Sequence, residues 1–453
     1  MALMVKHNLA AINTLNQLNK NDSALQKDVQ RLSSGMKING AADDASGYAI
    51  ADKMDVQTRS LQQDSDNTQN GQSVLKTASG ALSSTVDILR TLKEKAINAA
   101  NDTNTDSDRE TMQKEFDQAI DQIDENAQTS FNGMTMLDGS KNHYVVPGGT
   151  ANVLTNKNFS IFQNFDMLVP LNQLMDKSGK VLAIQPGDQI EVSYFKNGRF
   201  VDESVDAKID TWQGPQIVSL ADIFDNEPMK HDMSFEHFDP LKPNYIGRDH
   251  AGDDVYGNPG DMAINLISSS TGVDNQISGF NFCIKDSKGN PRTDLNKIFN
   301  DFQETIPAEN QSPDNAFWVH TGTRSNQSVK IDFVDMRAKA LGLRTGTDPE
   351  VNISVKTQAQ ANSAIQAIDT ALQKALDQQT NIGAVSSKLE FTDANIVTAN
   401  ENTQASMSTI RDADMAHEAT EQAKHSILVQ TAQAMLAQAN QNSSSVLSLL
   451  QGQ

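Results

Sequence analysis

The chain has 453 residues, enough for about two to four domains at roughly 100–200 residues each. Its formal net charge is −21, with acidic side chains spread from end to end. Such a field repels nucleic-acid phosphates and anionic lipid, so neither nucleic acid nor membrane is expected as a partner.

A single cysteine, Cys283, excludes an intramolecular disulfide and reads as a small buried apolar residue rather than a reactive thiol. The opening run MALMVKHNLAAINTLNQLNK lacks a basic segment followed by an unbroken apolar stretch, so no secretory signal is legible. No stretch reaches the roughly 20 apolar residues of a membrane span. If the protein leaves the cell, another route is expected to carry it.

Proline divides the chain into three zones. The first is Pro147 and the last is Pro349, and both tryptophans, Trp212 and Trp318, lie between them. The proline-free flanks, rich in Ala, Gln, Asn and Leu, predict long helices. The proline- and aromatic-rich middle predicts strands and loops.

Leu18, Leu25, Val29, Leu32 and Met36 recur at spacings of three, four or seven, and Leu9 and Ile12 are assigned to the same seam. Leu75, Leu82 and Leu89 sit a heptad apart, with Val86 between the last two. A third helix is expected to open on a capping box of Ser107 and Glu110, with an apolar face of Met112, Phe116, Ile120, Ile123 and Ala127.

In the middle zone, Ile190, Val192 and Tyr194 alternate before Asn197-Gly198 and Phe200, a strong short-range hairpin signal. Turns are expected at Asp176 and Asp286, and a short helix from Leu295 to Phe302.

Beyond Pro349, Ile365, Ile368 and Leu372 form one face, continued by Ile382, Val385, Leu389, Ile396 and Ile410. Leu428, Met435 and Leu436 follow, and Val446, Leu447, Leu449 and Leu450 give an apolar tail. Many stripe positions between these carry Ala, Ser, Gln or Thr. Each terminal helix should therefore be marginal alone. Periodicity by itself fits an intramolecular bundle as well as a seam completed by other copies.

Catalytic signals are sparse. His231, Asp232, Glu236 and His237 could ligate a metal if folded onto one face, but the spacing H-E-x-x-H is missing and a solvated loop serves as well. Asp249, Asp253, Asp254 and Asp261 do not meet the EF-hand pattern and read as a polar turn cluster. Asp43 and Asp44 could be acid–base partners by chemistry, yet adjacent residues rarely point the same way. His7, His417 and His425 read as surface or seam residues. No cofactor is expected.

Four runs are recognisable. LSSGMKINGAADDASGYAIADKM, Leu32 to Met54, closely resembles the N-terminal hallmark of bacterial flagellins. SFNGMTMLDG (Ser130 to Gly139) and SVKIDFVDMRAKALGL (Ser328 to Leu343) resemble the turn and exit segments of that family. From Ile410 to Gln451 the order IRDADMAHEAT, AMLAQANQ, SVLSLLQ resembles its C-terminus and favours a main filament subunit over a hook–filament junction protein.

The resemblance implies a mixed fold: long α-helical coiled-coil layers from both termini, one small β-hairpin region and a β-rich, solvent-facing central insertion. Mapped here, residues 1–40 and 410–453 form an inner layer, 41–142 and 317–409 a second layer, and 143–316 a variable outer domain. It implies a non-enzymatic subunit that self-assembles into a flagellar filament for motility. Export would proceed unfolded through a specialised channel, without a cleaved signal. Implied partners are many copies of the chain, an export chaperone on the C-terminal tail, and the filament cap and hook-junction proteins.

Two other readings concern the insertion. A metalloprotease is opposed by the missing H-E-x-x-H. An adhesive or glycan-binding outer domain would use aromatics such as Trp212 or Tyr256, which also suit the insertion's own core. One family segment is altered. Where flagellins sensed by a Toll-like receptor carry an arginine and a leucine, this chain has Thr91 and Lys95, while Leu89 and Glu94 are kept and Glu115 matches a further acidic contact. Losing a guanidinium fork and an apolar anchor implies weakened recognition.

Overall fold

Long helices occupy both flanks, where no proline interrupts the backbone hydrogen-bond ladder. In this computed structural model, residues 8–160, 174–185, 187–206, 223–224, 227–236, 245–257, 263–346 and 350–451 are described. The flanking helices are α1 (Leu9–Ser34), α2 (Ala45–Ala99) and α3 (Asp106–Ala127) on one side. On the other are α6 (Gln358–Arg411) and α7 (Met415–Gln451). Between them lie the short helices α4 (Glu227–Asp232) and α5 (Thr293–Phe299).

Helix ends are fixed by specific side chains. Asn8 caps α1 by accepting the Ala11 N–H at 3.0 Å. Asp44 does the same for α2, accepting from the Ser46 and Gly47 amides at 3.0 Å, and these bonds hold its carboxyl below the usual range. Asp43 instead accepts from the Asn39 amide at 3.2 Å. The pair therefore serves as turn and cap acceptors.

The capping box of α3 is Thr105 with Asp108, two residues before the expected Ser107 and Glu110. Both pairs fit the pattern. The earlier start places Arg109 in the first turn, where Nε donates to the Ala99 carbonyl at 2.9 Å and Nη2 to Asn101 O at 3.2 Å. Arg109 thus satisfies carbonyls at the end of α2, which has no glycine cap.

Two compact units emerge. Unit 1 comprises residues 1–69, 320–328 and 390–453; unit 2 comprises 70–319 and 329–389. The boundary falls inside α2 and inside α6. Helical faces build the first core of unit 2. Leu75, Leu82 and Leu89 of α2, Phe116, Ile120 and Ile123 of α3, and Ile368, Ile382 and Leu389 of α6 share one cluster with Phe333, Leu341 and Leu343. The heptad and three–four spacings of the sequence are the geometry of that cluster.

The second core is built on strands. They are β1 (Val153–Asn156), β2 (Gln189–Lys196), β3 (Arg199–Asp206), β4 (Met233–Glu236), β5 (Ile264–Ser268), β6 (Ser278–Lys285) and β7 (Gln303–Ile306). One antiparallel sheet has the order β7-β1-β5-β4 and another β6-β2-β3. Tyr194, Phe280, Phe282, Phe299 and Leu266 pack between them.

The hairpin β2–β3 turns at Asn197 and Gly198, with φ of 51° and 73°, and closes on Lys196 opposite Arg199. Positive φ at both centres is the two-residue turn that matches strand twist. At the expected turns, Asp176 Oδ1 accepts from the Ser178 and Lys180 amides at 2.9 Å, and Asp286 Oδ1 accepts from Lys288 and Asn290 at 2.8 Å.

Helix α5 ends at Phe299, short of Phe302. Asn300 stops it by turning its amide onto the edge of β6: Oδ1 accepts the Phe282 N–H at 2.6 Å and Nδ2 donates to Phe282 O at 2.7 Å. Asn296 repeats the clamp on Ile284 at 2.7 and 3.3 Å. One helical turn between the asparagines matches two residues of strand, so α5 covers an otherwise unpaired edge.

Candidate functional site

Of the residues in the middle zone that could carry chemistry, Asp232, Asp249 and Asp254 are engaged within the fold. Asp232 is buried; its carboxylate accepts the Tyr194 hydroxyl at 3.0 Å, and its carbonyl accepts from Lys196 Nζ and from Ser269 Oγ. Burial pushes the Tyr194 hydroxyl up and pulls the Lys196 ammonium down. His231 is exposed on α4, while the Glu236 side chain and His237 lie outside the described ones.

Asp249 Oδ1 accepts from the Ala251 and Asp253 amides at 2.9 Å, and Asp254 pairs with Arg248 at 3.0 Å. The Asp249 bonds form the turn and the Asp254 pair bridges the two strands it joins; Asp261 lies outside the described residues. Cys283 is half-buried on β6, less than its sequence reading implied, and burial pushes its thiol up. Tyr256 is exposed and meets Tyr245 edge-on at 5.8 Å; Trp212 lies outside the described residues.

A hollow of about 960 Å³ in unit 2 is lined by residues of α6 and of the segments around His143, Glu304 and Asp332. Three of its acidic groups are paired: Glu304 meets Lys374 at 2.8 Å, Glu309 meets His143 at 3.1 Å and Asp369 meets Lys93 at 2.5 Å.

The terminal helices of unit 1 are organised differently. Helices α1 and α7 run antiparallel. Asn8 Nδ2 donates to Ala439 O at 3.1 Å, His425 Nδ1 lies 2.5 Å from Asp28 Oδ2, and Arg31 Nη1 lies 3.4 Å from Glu418 Oε1. The Ala413 amide donates to Gly35 O at 2.9 Å and the Lys37 amide to Arg411 O at 2.7 Å, closing that end of the pair.

The seam between the helices is polar where it is most enclosed. The buried residues of α1 are Asn21 and Asp28, a heptad apart; Leu18, Leu25 and Leu32 flank them half-buried. Among the described side chains of α7 the buried ones are Glu418 and Ala432, with His425 between them.

Large apolar side chains instead face outward. Leu9 is 59% exposed, Ile12 47%, Val29 47%, Leu428 39% and Met435 58%. Leu436 is half-buried, and the side chains of Val446, Leu447 and Leu450 lie outside the described ones. The sequence reading grouped these residues as one seam. The structure separates Leu18, Leu25, Leu32 and Leu436, which line the helix pair, from Leu9, Ile12, Val29, Leu428 and Met435, which it leaves uncovered.

Sequence reasoning missed Leu15, Ile427 and, on the same unit's longer helices, Ile50, Val56, Phe391 and Val397, all exposed. Phe391 carries a signal in the sequence, as one of the few aromatics in the flanks.

The altered family segment lies on α2. Leu89 is fully buried in the helical core and does not reach the surface. Thr91 donates to the Asp87 carbonyl of its own helix at 3.1 Å, Glu94 is exposed, and Lys95 is paired with Glu115.

Residues 5–142 match the bacterial flagellin N-terminal helical region, and residues 365–450 match the bacterial flagellin C-terminal helical region. A flagellin of Clostridium tyrobutyricum is 30% identical over 97% of this chain and 99% of its own length. Flagellin B of Vibrio anguillarum is 28% identical over 99% of this chain and all of its own. A flagellar filament 31.3 kDa core protein of Treponema maltophilum is 26% identical over 99% of this chain and all of its own. With helical ends, a strand-rich centre and this end-to-end similarity, the chain belongs to the flagellin family and is a structural subunit of the bacterial flagellar filament.

Proposed function

We propose that the outward apolar residues of α1 and α7 are the groups through which one copy recruits the next. The uncovered row of Leu9, Ile12, Val29, Leu428 and Met435 carries this reading. Burying each such side chain stabilises by about 1.5–3 kcal/mol, set against the entropy of ordering the helices. Head-to-tail contacts that do not close give an open helical polymer.

Residues 1–40 and 410–453 then form the inner layer, 41–142 and 317–409 the second, and 143–316 the outer domain. Assembly is the whole activity, without catalysis. Export occurs unfolded and without a cleaved signal, a chaperone holding the apolar tail until release. The cap and junction proteins meet the same terminal helices. A chain lacking residues 1–40 and 410–453 is expected to form no filaments by negative-stain microscopy, to keep the thermal transition of unit 2, and to lose co-purification with its export chaperone. Fibres from that truncated chain would overturn the assignment.

Recognition by a flagellin-sensing Toll-like receptor is weak, because Thr91 and Lys95 remove a fork and an anchor, and Lys95 engages Glu115. A receptor reporter assay is expected to show at least about tenfold lower potency than a flagellin bearing arginine and leucine there, as loss of one anchor worth about 1.4 kcal/mol or more requires. Restoring Thr91→Arg and Lys95→Leu should raise potency; unchanged potency would remove the explanation.

A further inference from the structure

We infer that Asp28–His425 and Arg31–Glu418 are a register lock: they fix the alignment of α1 against α7 within one subunit and thereby decide which apolar side chains are presented to its neighbours. This rests on the assembly reading above and adds what orients the assembling face.

The observations come from the seam itself. Positions facing α7 repeat on α1 at heptad spacing, with Leu18, Leu25 and Leu32 on one track and Asn21 and Asp28 on the other. On α7, Glu418, His425, Ala432 and Ala439 also stand seven apart. An apolar seam slides by a heptad at little cost, because Leu meets Leu again. Polar groups at seam positions forbid the slide, lowering stability while specifying register.

Here a one-heptad slip would move Asp28 from His425 to Glu418 or Ala432, and Glu418 away from Arg31. The side chains of Asp28 and Glu418 are each only 8% exposed, so a misaligned pair would leave buried charge uncompensated. The chain ends of the pair agree with this alignment: Asn8 meets Ala439 at one end and Gly35 meets Ala413 at the other.

Because Leu9, Ile12 and Val29 project from α1 while Ile427, Leu428 and Met435 project from α7, the relative offset of the two rows is a property of register. A slip of seven residues displaces one row against the other by about 10 Å, at 1.5 Å per residue. That would break a surface meant to repeat from copy to copy.

The test is a charge exchange in the full chain. Arg31→Glu and Glu418→Arg are each expected to raise the critical concentration for polymerisation, read by sedimentation, by about tenfold or more, the discount from a fully buried pair reflecting the partial exposure of Arg31. The double variant should return to within about threefold of the parent, as coupling across a direct pair requires. Asp28→Asn combined with His425→Gln, which keeps a neutral hydrogen-bonding pair, should assemble more readily than Asp28→Leu alone.

Singles without effect, or a double no better than its singles, would overturn the lock. If the lock fails while the end-deleted chain still cannot polymerise, the assembly reading stands. If the end-deleted chain polymerises, that reading falls by itself.

Discussion

Gly279→Ala should destabilise unit 2 by about 3 kcal/mol, read as a lowered midpoint in urea unfolding followed by circular dichroism. Gly279 has φ of +63°, and a Cβ there would collide with the carbonyl of Ser363 in α6. It sits in the irregular stretch of β6 between Ser278 and Asn281, where the pairing with β2 shifts register. A bulge glycine here lets the strand pass against the helix backbone, next to the bond between Ser193 and Ser363 Oγ atoms at 2.8 Å.

Two costs therefore add for alanine: left-handed backbone strain, about 1 kcal/mol, and displacement of strand from helix, which backbone cannot relieve by rotamer change. Gly289→Ala separates them. Its φ is +85°, but a Cβ there meets nothing within 4 Å, so only the first cost applies and the loss should be about 1 kcal/mol. Equal losses at the two positions would refute the close approach at Gly279.

Such a residue marks where sequence reading stops. The helices of the flanks were legible because their apolar residues repeat with the helix, and Leu75, Leu82 and Leu89 enter the core in that periodicity. The β2–β3 hairpin was legible because Asn197-Gly198 names its own backbone conformation. Gly279 carried no local signal, since Ser363, whose carbonyl demands it, lies more than eighty residues later in the chain. The clamp of Asn296 and Asn300 on β6 was hidden for a related reason: asparagines four apart read as a polar helix face, and only the neighbouring edge gives them meaning.

The terminal seam was half legible. Spacing identified Leu18, Leu25 and Leu32 as one face, but grouped Val29 with them, since three, four and seven are all helical spacings. Asn21 and Asp28 were passed over because polar residues at seam positions look like solvent residues until α7 is placed against them, with His425 meeting Asp28. For the same reason the capping box shifted from Ser107 to Thr105: two candidate pairs satisfied the local rule, and the tertiary contact of Arg109 with Ala99 chose between them.

The separation of inward polar from outward apolar residues leads to the sharpest expectation for assembly. Ile12→Asp combined with Leu428→Asp should leave the isolated subunit almost unaltered, within about 0.5 kcal/mol by thermal or urea unfolding, because both side chains already face solvent. The same double variant should raise the critical concentration for filament formation by at least about a hundredfold. Each replacement forfeits about 1.5–3 kcal/mol of burial and places a carboxylate in a surface otherwise drained of water.

Leu25→Asp provides the contrast. Leu25 is half-buried between α1 and α7, so its loss should weaken the helix pair within the subunit as well as the polymer. In hydrogen exchange on the unassembled chain, α1 amides should lose protection in Leu25→Asp and keep the parental pattern in the double variant. If Ile12→Asp with Leu428→Asp polymerised at the parental concentration, the outward row would be ordinary exposed apolar surface, and the copies would have to meet through the longer helices, where Phe391, Val397 and Val56 are also uncovered.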